Sequence, residues 1–119
     1  MRIPRSSELV KLIYFLAKYA RSGQGASRPP EVFGDRNWRE VYELFFDRLG
    51  DGRIFSKFRS ISEQLRRDNI GRHINEGIPL LPRYQAILSS WTVMTHDEQW
   101  AEICQWMTEG VVQATGRLR

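Results

Sequence analysis

Scarcity of cysteine and of long apolar runs excludes several classes of protein. Cys104 is the single cysteine in 119 residues, so the chain forms no internal disulfide framework and no cysteine-based zinc site. One unpaired thiol fits a reducing compartment and predicts a cytoplasmic protein. No stretch approaches the roughly 20 apolar residues that a membrane-spanning helix requires. The sequence therefore predicts no membrane partner.

The first residues, MRIPRSSELVKLIYFLAKYAR, place basic side chains ahead of an apolar run, as a signal peptide does. Lys11 and Lys18 interrupt this run, and no small-residue cleavage site follows it. Both features favour a helix of the folded protein over a secretory leader.

Common catalytic and ligand-binding motifs are also missing. The sequence has no glycine-rich phosphate loop, no histidine pair at metal-ligand spacing and no serine elbow. We therefore predict no cofactor and no metal. Cys104 falls on the expected buried face of a helix and His96 in a helix first turn, so both are interpreted as structural residues.

Arginine is abundant. Of the 18 basic residues 15 are arginine, and they outnumber 14 acidic residues to give a net charge of +4. A planar guanidinium matches phosphate and carboxylate groups, although GC-rich codon usage also produces an arginine excess. Residues 1–83 hold 16 basic and 10 acidic side chains, whereas residues 84–119 hold 2 and 4. This asymmetry predicts an anionic partner for the first part of the chain.

Apolar side chains recur at helical spacing along most of the sequence. The spacing predicts five helices, over residues 7–21, 37–49, 54–67 and 82–91 and from Thr95 onward. No alternating pattern indicates a strand. At this length one domain is expected, so we predict a single all-α domain, residues 1–119, of about five helices with irregular or orthogonal packing.

Glycine and proline mark the predicted connections. Residues 22–30 (SGQGASRPP) are expected to form a flexible loop. Residues 69–71 are expected to interrupt or end the third helix, and residues 78–82 (IPLLP) to form an apolar loop over the core. The tail, residues 108–119, carries weak signals and is expected to fray.

The most basic stretch covers residues 53–72, with six basic and two acidic side chains. The basic residues are Arg53, Lys57, Arg59, Arg66, Arg67 and Arg72. Such a group can contact the phosphates of RNA or DNA, which provides affinity without sequence information. Trp91 and Tyr84 flank a short predicted helix, where partial exposure would allow base stacking.

Small, basic, helical proteins commonly serve as accessory subunits of nucleoprotein machines. The helical small subunits of CRISPR effector complexes offer an analogy in size, charge and helicity alone. We therefore predict a non-enzymatic module that binds the backbone of RNA or DNA within a larger protein assembly.

An alternative depends on the stretch RDNIGRH. Arg67 is followed by the polar Asp68 and, five residues further on, by His73, a pattern that resembles the motif of HEPN-type ribonucleases. The resemblance implies metal-independent RNA cleavage, with His73 in proton transfer and Arg67 stabilising phosphate charge. Family members usually pair two such motifs across a dimer. The same residues also fit a charged helix end, where the dipole favours a protonated histidine.

A second alternative is a protein-interaction module, such as a phage-encoded inhibitor or an adaptor. Residues 78–82 would then form an exposed apolar patch. Burial of this loop would remove the main support for the alternative.

Overall fold

The first helix, α1 (Ser7–Lys18), lies at the centre of the fold in a computed structural model that describes residues 7–22 and 27–107. Its buried side chains are Leu9, Val10, Leu12, Ile13, Tyr14, Phe15 and Leu16. Burial at consecutive positions means that other elements surround the helix. A helix this apolar must be covered on several sides, and the later helices provide that cover.

A two-stranded antiparallel ladder follows α1. Strands β1 (Arg21–Ser22) and β2 (Ser27–Arg28) pair side by side, with Arg21 opposite Arg28 and Ser22 opposite Ser27. Residues 23–26 between them lie outside the described part of the chain. The Arg21 side chain donates to two backbone carbonyls downstream, at 2.7 and 2.9 Å. Ser22 and β2 fall in the stretch predicted to be a flexible loop, whereas Arg21 falls at the end of the predicted first helix, which stops at Lys18 in the structure. Two-residue strands are too short to leave an alternating pattern in the sequence.

The next elements are a 3₁₀ turn (Glu31–Phe33) and helix α2 (Trp38–Leu49). Asn37 caps α2, because its side chain accepts from the Glu40 amide at 2.8 Å. The Glu40 carboxylate accepts in return from the Asn37 amide at 2.9 Å. This reciprocal capping box satisfies two backbone donors at the helix start.

Helix α3 (Phe55–Gln64), a π turn (Leu65–Asn69) and helix α4 (Ile70–Glu76) follow one another without a gap. We call them together the long helical segment (residues 55–76). The backbone stays helical through residues 69–71, but the α-helical pattern is interrupted just before and at Asn69 by the π turn, in which the Ile70 amide donates to the Leu65 carbonyl. The segment ends at Gly77, whose φ of 74° favours glycine.

Two short helices complete the described chain. Helix α5 (Pro82–Leu88) begins with proline in its first turn, and helix α6 (His96–Cys104) begins at a capping box. The Thr95 hydroxyl accepts from the Glu98 amide at 3.1 Å, at the residue from which the sequence predicts the last helix. The predicted frayed tail, residues 108–119, lies outside the described residues.

Buried side chains from all the α-helices meet in one core. The prediction of an all-α, compact single domain is confirmed. Trp91 and Tyr84 are only 1% and 2% exposed, so the expected partial exposure of these rings is wrong. No helix within residues 7–22 and 27–107 has the length and apolarity to cross a bilayer.

Candidate functional site

The long helical segment and the turn before it carry all six basic residues predicted to contact nucleic acid. Four of these side chains belong to exposed residues: Lys57, Arg59, Arg67 and Arg72. The other two, Arg53 and Arg66, are bound into the fold. The predicted set therefore divides into four cations that face solvent and two that stabilise the structure.

Arg53 lies at the turn that joins α2 to α3. Its side chain is only 14% exposed and pairs with Asp51 at 3.3 Å. It also donates to the Gly50 carbonyl at 3.4 Å. Asp51 has a φ of 55°, an uncommon conformation for a residue other than glycine. Arg53 thus supports a tight turn and has little surface left for a phosphate.

Arg66 is the centre of a buried polar network. Its Nη2 donates to Glu63 at 2.7 Å, its Nε donates to the Tyr42 hydroxyl at 3.0 Å, and its side chain is 9% exposed. The guanidinium lies 3.7 Å from the centre of the Trp38 ring. Charge-assisted bonds and ring stacking together fix its position. Its main role is therefore to join α2 to the long helical segment.

Tyr42 completes this network from α2. Its hydroxyl donates to Glu63 at 2.5 Å. Burial raises the pKa of Tyr42 far above its ordinary value of 10.0, and the opposing charge of Arg66 offsets only part of that effect. The phenol therefore stays protonated as a donor to Glu63 at all moderate pH values.

Three of the exposed cations are free of intramolecular ion pairs. Within the described residues, no carboxylate lies within 4.0 Å of the charged nitrogens of Lys57, Arg59 or Arg67. Arg72 pairs with Glu76 across one helical turn at 3.6 Å, with both side chains about half exposed. Such exposed pairs contribute little to stability, so all four cations can exchange their present surroundings for a phosphate.

An open pocket of about 230 Å³ lies where the long helical segment meets α1 and the ladder. We call it the arginine pocket. The described residues that line it are Ala17, Ala20, Ser27, Arg66, Arg67, Gly71 and Asn75. None of them is acidic, and three have no side chain beyond Cβ. Two adjacent arginines therefore line one recess, and several of its other lining residues have very short side chains.

Arg59 lines a different open pocket, of about 410 Å³. Arg39, Phe55 and Glu63 share this second pocket with it. The Glu63 carboxylate lowers the local positive potential there. Glu63 also pairs with Arg66 of the arginine pocket, but among the described residues that line the arginine pocket itself there is no carboxylate.

His73 lies in α4 and lines a third pocket, with Gln85, Ser89 and Thr92 among its other members. Its Nδ1 lies 2.7 Å from the Ile78 carbonyl. Because a carbonyl oxygen accepts only, Nδ1 carries a proton and Nε2 is left as the acceptor in the neutral ring.

Arg67 and His73, the pair of the ribonuclease alternative, line different pockets. Continuity of the helix through Gly71 does match the helical setting of the resembled motif. A single phosphate held in the arginine pocket, however, would meet Arg67 and not His73. Neither of these two pockets has both side chains of the alternative in its lining.

The loop over residues 78–82 presents apolar side chains to solvent. Ile78 is 38% exposed and Leu81 is 47% exposed, whereas Leu80 packs against the core. Val93, in the turn after α5, is 80% exposed. The condition set for the protein-interaction alternative, an exposed loop, is therefore met.

Comparison of the chain with models of protein families, with curated proteins and with solved structures finds no match. The functional assignment therefore depends on the residues and their geometry.

Sequence reasoning missed Asn75, Ser27 and the small residues of the arginine pocket. Asn75 is three residues beyond the basic stretch, and Ser27 and Ala20 come from distant parts of the chain. Only tertiary packing brings these groups together. One local signal was available, since Gly71 inside an otherwise helical, polar stretch indicates a close approach of backbone.

Proposed function

We propose that the protein binds the sugar–phosphate backbone of RNA or DNA without cleaving it. The long helical segment is the binding surface, and Lys57, Arg59, Arg67 and Arg72 are its phosphate contacts. Arg53 serves this surface indirectly, by holding the turn before the segment in place. Arg66 holds the segment against α2 and also lines the arginine pocket.

One observation carries the proposal. The exposed cations of the long helical segment are unpaired among the described residues or held in a weak surface pair, while its one strongly paired cation, Arg66, is buried. Unpaired arginines gain the most from a phosphate, because no intramolecular bond is lost when they bind it. Release of counterions from the nucleic acid then supplies most of the affinity.

The expected mode of binding is electrostatic. Trp91 and Tyr84 are buried and offer no ring face to a base. Contacts to phosphate oxygens position a protein without reading sequence, so we expect little sequence preference. Work within a larger assembly and a cytoplasmic location remain predictions from composition.

A single assay tests this proposal. Labelled single-stranded RNA and DNA are mixed with purified protein at low and moderate salt, without added metal, and read for both retardation and cleavage. We expect retardation that weakens steeply with salt, with intact strands. Arg67→Ala should reduce affinity and the salt dependence together, whereas His73→Ala should leave both unchanged.

Two other results would overturn the proposal. Cleavage of RNA alone, lost in His73→Ala, would establish the ribonuclease alternative. Absence of retardation at low salt would leave a protein partner as the better explanation.

A protein-interaction module is the second candidate, and the exposed side chains of Ile78 and Leu81 favour it. Exposed apolar side chains that share one loop are a common feature of docking surfaces. Pro79 and Leu80 of this loop also line the pocket that contains His73. Leu81→Ser should then abolish capture of a partner without changing thermal stability. Val93→Ser is the matched control, because Val93 is also exposed but lies outside the loop.

A further inference from the structure

We infer that the arginine pocket seats one phosphate group of the bound nucleic acid, with Arg66 and Arg67 as the charged donors and Asn75 as a neutral one. This inference rests on the proposed function and names its central contact. The proposed function describes a basic surface, and the inference assigns one phosphate group to a defined recess in that surface.

Arg66 is the fixed donor of this site. Its bonds to Tyr42 and Glu63 use Nε and Nη2, so Nη1, with two N–H groups, takes no part in that network. Stacking on Trp38 fixes the plane of the guanidinium. A donor held in position before binding loses little conformational entropy when the ligand arrives.

Arg67 is the mobile donor. It is exposed, forms no ion pair with another described residue, and lines the same pocket as its neighbour. Its charge is not compensated, whereas Glu63 largely neutralises Arg66. Together the two arginines offer one net positive charge and a fork of donors, which suits a phosphodiester monoanion.

The walls admit a ligand of this size. Ala17, Ala20 and Gly71 project no long side chains into the recess, whose volume of about 230 Å³ exceeds that of several waters at roughly 30 Å³ each. Asn75 and Ser27 complete the lining with groups that can donate to phosphate oxygens. None of the described lining residues is a carboxylate.

Position on a π bulge is a further sign of a built site. Both arginines belong to the five-residue π turn, and such bulges occur frequently at functional sites. Gly71, which also lines the pocket, packs directly against this turn, since a Cβ there would lie 2.0 Å from the Arg66 carbonyl oxygen.

Substitutions that leave the net charge unchanged can distinguish a specific phosphate site from general electrostatic binding, because only a specific site should lose affinity. Asn75→Ala removes a pocket donor and Ala20→Leu fills the recess, and neither changes the net charge. Gln64→Ala and Ala86→Leu are the matched controls, because both residues are exposed and lie outside the pocket lining. Affinity for a labelled single-stranded RNA is measured by fluorescence anisotropy, with 5′-phosphate and 5′-hydroxyl forms of the strand.

We expect Asn75→Ala and Ala20→Leu each to weaken binding about fivefold or more, the effect of one lost hydrogen bond to a charged group. The two controls should stay within about twofold of the parent protein. Equal losses on both RNA forms would assign the pocket to an internal phosphodiester. A loss confined to the 5′-phosphate form would assign it to a chain end.

A titration with inorganic phosphate, followed by amide NMR shifts, tests the pocket without nucleic acid. The Gly71 and Asn75 amides should shift in the parent protein and stay fixed in Ala20→Leu. If both charge-neutral variants bind RNA normally and phosphate moves neither amide, the inference is overturned while the proposed function stands. If the parent protein binds no nucleic acid, the proposed function fails, and the titration alone decides the pocket: shifts support it, and their absence overturns it.

Discussion

Two neighbouring arginines of the long helical segment have opposite environments. Arg66 is bonded to Glu63 and Tyr42 and stacked on Trp38, while Arg67 is exposed and unpaired among the described residues. Both look alike in the sequence, and both were predicted to contact nucleic acid. The difference arises because consecutive side chains of a helix point in different directions, so that Arg66 contacts Tyr42 and Trp38 of α2 while Arg67 faces solvent. Sequence reasoning identified the basic segment but could not divide its arginines between structure and binding.

Gly71 is the residue on which the π bulge most depends. A Cβ at this position would lie 2.0 Å from the Arg66 carbonyl oxygen, a contact that forces the backbone to shift. Gly71→Ala should therefore lower the free energy of unfolding by about 2 kcal/mol, measured by urea denaturation.

Gly77→Ala is the control for this prediction. Gly77 has a φ of 74° and open space around the position of a Cβ, so its substitution costs only about 1 kcal/mol of backbone strain. If Gly71→Ala proves no more destabilising than Gly77→Ala, the close approach at the bulge is not a constraint on the fold.

The buried phenol of Tyr42 makes stability depend on pH in the alkaline range. Its pKa is raised above 10.0 in the folded protein, chiefly by burial. Above pH 10 the unfolded chain therefore releases a proton that the folded chain retains, and stability falls as the pH rises, by up to about 1.4 kcal/mol per pH unit. Stability that is complete below pH 10 is lost progressively above it.

Tyr42→Phe should flatten this pH dependence, as measured by urea denaturation in steps from about pH 9 to pH 11. The variant also loses hydrogen bonds, which lowers stability equally at every pH, so the slope is the informative quantity. Tyr14 and Tyr84, whose pKa values are also raised by burial, keep part of the slope in the variant. Parallel curves for the two proteins would contradict the role assigned to the Tyr42 phenol.

At the scale of elements, the sequence predicted those features that depend on local chemistry. Helices α1, α2, α5 and α6 lie within the ranges predicted from helical spacing. The groups that start α2, α5 and α6, namely the caps Asn37 and Thr95 and the first-turn proline of α5, act within a few residues. The ladder and the π bulge depend on distant contacts, and neither was predicted. The arginine pocket combines α1, β2 and α4, so no local pattern could indicate it.

The capping box of α6 offers a test of this local control. Thr95→Ala removes the side chain that accepts from the Glu98 amide at 3.1 Å, and we expect a loss of about 1 kcal/mol in the free energy of unfolding. Thr95→Ser keeps the hydroxyl and should retain most of that stability. Thermal unfolding followed by circular dichroism compares the two, and an equal loss in both variants would mean that the hydroxyl does not stabilise the helix.

The whole molecule carries a net charge of +4, which by itself draws any small protein toward nucleic acid. A defined surface differs from this general attraction because the position of a charge matters as well as its sign. The two explanations can be separated by removing the same number of exposed cations either from the long helical segment or from elsewhere on the surface. Both variants then have the same net charge.

The double variant Lys57→Ala/Arg72→Ala removes two exposed cations from the long helical segment and lowers the net charge from +4 to +2. Arg48→Ala/Arg83→Ala makes the same change at exposed positions on α2 and α5. We expect the first variant to lose affinity for single-stranded RNA about tenfold more than the second, with a salt slope lower by about two. Binding titrations at several salt concentrations measure both quantities. Equal losses would mean that affinity follows net charge alone, and the long helical segment would then have no special part in binding.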